Sequence, residues 1–365
     1  MEQRQGAVED LGLRRMAVSG DFWRGRRVLL TGHTGFKGAW AARWLHRLSA
    51  QVYGFALPPD TEPSLHALLK TPLAGETLAD LRDAGVVEAA LAEARPEIVL
   101  HFAAQALVPA SYRDPVGTWT SNVIGTIHLL EAMRRHPHPL TAVIVTTDKV
   151  YANNESGAAF PETAPLGGDD PYSASKAATE IAVHSWMKSF FAGRHRVGTA
   201  RAGNVIGGGD WSADRLIPDI VRAAQKQDSV ILRRPEATRP WQHVLDPVHG
   251  YLRYAEALHA GKPGLPESLN FGPLKDQRIT VGTIATDLTK AFGAPAWRHE
   301  PQQEIGEKGV LALDARLAAQ SLNWQPRFTT QAALDATVTW YRDWMAGADA
   351  AVLTDRQIAA FEDGL

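Results

Sequence analysis

The sequence predicts an α/β fold, a doubly wound parallel sheet with a smaller C-terminal lobe. Three observations carry that expectation. Short apolar runs alternate with helical patterns through about residue 205, as parallel strands joined by crossover helices require. The run 26–31 leads directly into Gly32, Gly35 and Gly38 and then a helix with Trp40, Trp44 and Leu48 on one face. The apolar run 142–145 ends in Thr146, Thr147, Asp148 and Lys149, and an open α/β sheet presents its chemistry outside the carboxyl ends of its strands.

Composition narrows the class. The 365 residues are 45% hydrophobic and 21% charged, with a formal net charge of −2, which is ordinary for a globular protein. Near-neutral charge gives no reason to expect nucleic acid or an anionic membrane as partner. The absence of cysteine excludes disulfides, thiolate chemistry and zinc–thiolate sites, and no metal ligand set is assigned. No apolar run approaches the ~20 residues of a membrane span. Arg4, Arg14 and Arg15 have no apolar core behind them, so the start does not read as a secretory signal; cytoplasm is the expectation. Residues 1–21 read as a disordered extension or an upstream start, with Met16 the alternative.

The turn Gly32-His33-Thr34-Gly35-Phe36-Lys37-Gly38 has Gly-x-x-Gly-x-x-Gly spacing between a strand and a helix. Glycines let the backbone turn sharply and approach a pyrophosphate, whose charge then sits on the helix N-terminus. A dinucleotide is therefore the expected cofactor. Lys37 and His33 add positive charge near its phosphates, or Lys37 simply faces water. The second strand, 51–57, is expected to end in an acid for the ribose 2′-hydroxyl. None stands there, and Asp60 comes three residues late, which leaves NAD and NADP both open. Asp80, beside Leu81, reaches the adenine edge or caps a helix.

The strand 97–105 ends in Ala103, Ala104 and Gln105, small residues against which a flat cofactor ring can lie. The following helix, through 121–135, is apolar on more than one side, as expected if it packs on both the sheet and a partner subunit. Asn122 is unfavourable in mid-helix. It either bonds backbone in a kinked helix or faces solvent.

Tyr172 and Lys176 are four residues apart and share one helix face. A phenol titrates near ~10, and an ammonium one turn away is expected to lower that value. With the Thr147 hydroxyl donating to the same oxygen, the three groups can take the proton of a substrate alcohol while its hydride leaves for a nicotinamide. Taken alone, Tyr-x-x-x-Lys also describes many solvated helices. Downstream, 197–203 reads as a strand, and the glycine run 207–209 suggests a binding loop. Arg233, Arg234 and Arg239 form a solvated face or a diphosphate fork, with Arg239 the preferred candidate. The expected division is a dinucleotide-binding domain over 22–205, with 237–275 contributing to it. A substrate-binding lobe covers 206–236 and 276–348, and a tail covers 349–365.

Five stretches carry a resemblance: 32–38, Thr147-Asp148-Lys149, 165–172, 201–211 with its glycine string ending in Asp-Trp, and 239–244. The chain resembles extended short-chain dehydrogenase/reductases acting on nucleotide sugars from about Phe22 to Trp344, and within them the 4,6-dehydratases, including those of CDP-glucose. The resemblance implies a Rossmann sheet, NAD as cofactor, and a homodimer through a four-helix bundle formed by the helices of Asn122 and Tyr172. It implies that Tyr172, with Lys176 and Thr147, removes the sugar C4 hydroxyl proton, and that Asp148 is the general acid for the C6 hydroxyl. Lys149 stands where related dehydratases carry a Glu base for C5. It serves there only if its pKa is depressed, and otherwise stabilises the enolate; the CDP-glucose members are similar in having Lys. Cofactor contacts are expected from 32–38, Asp80, Leu81, Ala103, Ala104, Gln105, Asn122, Tyr172 and Lys176. Substrate contacts are expected from Gln105, Asn204, Arg215, Arg239, His243 and Asn270. The rivals are another sugar-nucleotide dehydratase, a 4-epimerase or reductase, and a non-catalytic dinucleotide-sensing regulator, which typically lacks the Tyr/Lys pair.

Overall fold

The computed structural model describes residues 17–239, 241–273, 279–300 and 311–364. The main strands are β1 (Arg27–Thr31), β2 (Gln51–Ala56), β3 (Gly75–Leu78), β4 (Ile98–His101), β5 (Thr141–Val145), β6 (Arg196–Ala202) and β7 (Ser268–Phe271). They form one sheet in the order β7-β6-β5-β4-β1-β2-β3, parallel at every pairing. The winding reverses between β1 and β4, so a crevice opens at their carboxyl ends.

The strands are apolar on both faces because both faces are covered. Along β1, Val28 and Leu30 enter one core and Leu29 the other. The longer helices are α1 (Phe36–Arg47), α2 (Ala84–Ala94), α3 (Gly125–Arg135), α4 (Pro171–Trp186), α5 (Leu216–Lys226), α6 (Leu245–His259), α7 (Val281–Phe292), α8 (Thr330–Met345) and α9 (Ala350–Glu362). Trp40 and Trp44 of α1 and Val248 and Leu252 of α6 fill the larger core. Leu91 of α2, Leu129 and Met133 of α3 and Val183 of α4 fill the other. Two short parallel ladders, Val205–Ile206 with Gln242–His243 and Ile231–Leu232 with Arg298–His299, support the segments above the crevice.

The chain ends depart from expectation. Residues 17–21 are not a loose extension. Ser19 caps the turn Gly20–Trp23, and its amide and the Trp23 indole both donate to Glu256 Oε1 at 2.8 and 2.9 Å. Residues 1–16, the rest of that expected extension, lie outside the described residues, as does Pro240. The stretch expected as a tail forms α9. Leu353, Ile358 and Phe361 are buried at helical spacing, Asp349 caps the start, and Arg43 and Trp44 of α1 donate to Asp355 and Glu362. No helix among the described residues is long and apolar enough to cross a membrane.

Candidate active site

The glycine turn sets the floor of the crevice. Gly32 has φ +75°, and a Cβ there would stand 2.7 Å from the Ala103 amide nitrogen. A Cβ on Gly38 would overlap the Gly32 carbonyl oxygen. Only glycine lets β1, the end of β4 and α1 approach this closely. The cap of α1 is Gly35, and no side chain bonds to the first-turn amides. A helix start left open in this way is a ready anion site. Above it lies a cavity of about 1090 Å³, beyond the ~300–1,000 Å³ typical of one small-ligand pocket and roomy enough for a dinucleotide and a second ligand. Thr34, Phe36, Lys37, Leu57, Asp60, Asp80, Leu81, Ala103 and Ala104 line its cofactor end. The strand ends supply small residues and the turn supplies amides, so the residues present fit a dinucleotide.

Past the carboxyl end of β5, Thr147 caps a short 3₁₀ turn, Asp148–Val150. That turn brings Thr147, Asp148 and Lys149 into the cavity beside Tyr172 and Lys176. Asp148 is fully buried. Its Oδ1 accepts from Thr147 Oγ1 at 3.0 Å and from Lys149 Nζ at 3.5 Å, while Oδ2 has no partner among the described residues. Lys149 Nζ also reaches Asn204 Oδ1 at 3.4 Å. Helix α4 starts on Asp170, whose carboxylate takes the Ser173 N–H at 2.8 Å and its hydroxyl at 2.5 Å. Tyr172 is thereby fixed in the first turn, and Lys176 one turn later donates to the Val145 carbonyl at 2.9 Å.

Burial governs the charges. The Tyr172 phenol is pushed up to about 12, chiefly by desolvation; the hydrogen bond with Thr147 pulls it the other way, and Asp148 reinforces the rise. The lowering expected from Lys176 is not seen: the influences that oppose the rise are Thr147 and Arg215, while the Lys176 ammonium donates to the Val145 carbonyl. Lys176 itself falls to about 8 by desolvation, with Glu180 opposing. Lys37 falls to about 7 through desolvation and the nearby charges of Arg215 and Lys176.

Of the expected substrate contacts, Gln105, Asn204, Arg215 and Arg239 line the cavity, whereas His243 and Asn270 do not. His243 is fully buried between Trp40 and Phe328, and burial lowers its pKa to about 3. Asn270 is a brace: it accepts from Tyr151 Oη at 2.7 Å and donates to the carbonyls of Phe160 and Asp314. Asn122 and the His33 side chain also lie off the cavity. Asn122 stands in a π-helical turn, Thr120–Ile124, where it bonds both backbone groups of Gln105 and the Ser175 hydroxyl. It ties the end of β4 to α4, which explains a mid-helix Asn. His33 is buried against Glu76 with a lowered pKa, so it adds no charge near a phosphate. Asp80 caps no helix: its carboxylate bonds Arg82, and the cap of α2 is Asp83. Arg233 and Arg234, given less weight than Arg239, line the cavity alongside it. Thr61, Ser64 and Leu65 were missed, although they follow directly on Asp60.

Comparison with known proteins adds the following. The model of the NAD dependent epimerase/dehydratase family matches residues 28–272. CDP-glucose 4,6-dehydratase of Salmonella typhimurium strain LT2 is 40% identical over 352 residues, covering 94% of this chain and 98% of the relative. A dTDP-glucose 4,6-dehydratase of Mycobacterium tuberculosis is 28% identical over 337 residues, covering 87% and 93%. Among solved structures, DesIV, the dTDP-glucose 4,6-dehydratase of Streptomyces venezuelae solved with NAD bound, superposes with a TM-score of 0.76 at 25% identity, covering 87% of this chain and 97% of that one. The UDP-glucose 4-epimerase of Thermotoga maritima gives 0.76 at 22% identity, covering 87% and 99%.

Proposed function

This chain belongs to the NAD dependent epimerase/dehydratase family, and from that premise we propose that it is a lyase converting CDP-glucose to CDP-4-dehydro-6-deoxyglucose and water. The observation that carries this reading is the strand tip. Asp148 and Lys149 stand in one cavity with Tyr172 and Lys176, and a 4-epimerase has no use for an acid that expels the C6 hydroxyl.

The glycine turn and the open start of α1 would hold the cofactor diphosphate, with Leu81, Ala103 and Ala104 along its length. NAD supplies a hydride acceptor at sugar C4, a hydride donor to C6, and a positive ring charge in the cavity. Tyr172 removes the C4 hydroxyl proton, Thr147 donates to its phenolate, and Lys176 anchors the reacting helix through the Val145 carbonyl. The 4-ketone acidifies the C5 proton. Lys149 as its free amine takes that proton, pairs as the ammonium with the enolate and returns the proton to C5 at the end, while Asp148 in its protonated form delivers a proton to the C6 hydroxyl, which departs as water. Asn204 and Arg215 bind the sugar nucleotide, and Arg239 forks its diphosphate. The enzyme acts in the cytoplasm in deoxy-sugar synthesis for surface polysaccharides. It works as a homodimer through α3, α4 and the turns before α3. Val116, Trp119, Ile124 and Ile181, exposed apolar residues on those helices, support that pairing.

The test incubates purified protein and NAD with CDP-, dTDP-, UDP- and GDP-glucose and reads the alkaline absorbance of the 4-keto product. Turnover of CDP-glucose without net NADH is expected, with little on the others. An epimerised sugar, or consumption of cofactor, would replace this reading.

A further inference from the structure

We infer that His33, His66 and Glu76 form a binding site for a divalent transition metal of the zinc class, behind the glycine turn and outside the catalytic cavity. His33 lies on the turn after β1, His66 on the short helix Leu65–Leu69, and Glu76 on β3. One ligand atom from each lies within 4.8 Å of the others. Glu76 Oε1 is 2.8 Å from His33 Nε2 and 3.3 Å from His66 Nε2, and the two rings meet edge to face at 5.2 Å. Zinc bonds of about 2.0–2.2 Å to nitrogen and oxygen in a tetrahedral site place ligand atoms roughly 3.3–3.5 Å apart. The Glu76–His66 edge already has that spacing. The Glu76–His33 edge needs to open by about 0.5 Å to reach it.

The site is built rather than incidental. The His33 imidazole is completely buried in a slot that Gly54 of β2 leaves open; a Cβ there would fall 2.6 Å from the ring. His66 is partly exposed and Glu76 exposed, and both line a groove of about 410 Å³ through which an ion would approach them, with His33 behind. Lys70 also lines that groove; its charge opposes the cation, and the Glu76 carboxylate offsets it. Two imidazoles and a carboxylate are borderline ligands that suit zinc, cobalt or nickel better than magnesium or calcium. Without a metal, His33 Nε2 hydrogen-bonds Glu76 Oε1 and His66 Nε2 stands 3.3 Å from the same oxygen, and the two states differ measurably. The inference stands whether or not the chain is a dehydratase.

The experiment uses tag-free full-length protein stripped with a chelator and titrated with Zn²⁺ against a chromophoric competitor. Co²⁺ is added in parallel for its visible d–d absorption. One zinc per chain is expected, with a cobalt spectrum showing fewer than six ligands and a melting temperature raised by the metal. His66→Ala, Glu76→Gln and the double variant alter one partly exposed and one exposed side chain, and the amide introduced by Glu76→Gln still offers an oxygen to His33, so the metal-free variants should melt near wild type while zinc affinity falls at least about tenfold. Zinc bound equally by wild type and the double variant, or no stoichiometric zinc on wild type, overturns the site.

Discussion

Helices α1 and α4 both begin at the same cavity, and they begin in opposite ways. α1 starts at Gly35 with no side chain on its first amides. α4 starts at Asp170, which takes both the N–H and the hydroxyl of Ser173. An open helix start keeps its partial positive charge for a ligand, whereas a capped one has already used it. Unused capping capacity thus marks where an anion belongs. Satisfied capacity marks where side chains must not move, and Tyr172 and Lys176 ride on the satisfied helix.

The largest break in this contrast comes at the closed end. Tyr172→Phe removes one oxygen from a side chain whose ring is already packed. It should lower kcat by roughly 10³-fold while leaving NAD affinity within a few-fold of wild type by fluorescence titration. Activity retained within tenfold would take Tyr172 out of the proton path and undo the reading of α4 as the reacting helix.

The contrast also separates what sequence could reveal from what it could not. The glycine turn, the alternation of strands and helices and the Thr-Asp-Lys tip were legible because each is a local pattern with one structural solution. His243 and Asn270 were misread for the opposite reason: a polar residue at a strand end looks the same whether it faces ligand or core. Only the packing of Trp40 and Phe328 around His243, and the Tyr151 hydroxyl on Asn270, decides the matter. α9 was expected only as a tail, because what orders it is its docking on Arg43 and Trp44, partners some 300 residues away in sequence.

A second test asks how dry the closed end is. Lys176 releases its proton at about 8 in the folded chain, against 10.5 for a free lysine. Between those values the unfolded chain binds more protons, so Lys176 makes stability rise with pH. Below about pH 8 that gain is absent. Urea unfolding of wild type and Lys176→Met from pH 7 to 10 isolates the effect. Wild type should gain on the variant only above about pH 8, approaching 3 kcal/mol near full deprotonation. A difference that stays flat across this range would mean that water reaches the ammonium.

A smaller effect is expected from closing the open end. Gly35 has φ −76°, and a Cβ there would meet nothing nearer than the Gly32 carbonyl oxygen at 3.5 Å. Gly35→Asp therefore fits, caps α1 and puts a carboxylate where the cofactor diphosphate would bind. Its unliganded stability should hold or rise by about 0.5–1 kcal/mol, while NAD affinity falls at least about tenfold. Gly35→Ala should lose far less. Unchanged NAD binding in Gly35→Asp would remove α1 as the anion site.

The smallest effect comes from opening the closed end. Asp170→Ala frees the Ser173 amide and hydroxyl and should cost about 1 kcal/mol of stability in urea unfolding. Asp170→Asn, which can still accept from Ser173, should recover most of it. A loose cap also lets the first turn shift, and Tyr172 sits in that turn, so kcat should fall several-fold with KM for the sugar nucleotide nearly unchanged. That split distinguishes positioning from simple destabilisation, which lowers the amount of active enzyme without changing the turnover of each folded molecule. If Asp170→Ala lost stability and kept full turnover, capping would fix the helix without fixing the phenol. The geometry of the reacting groups would then rest on the Lys176–Val145 hydrogen bond alone.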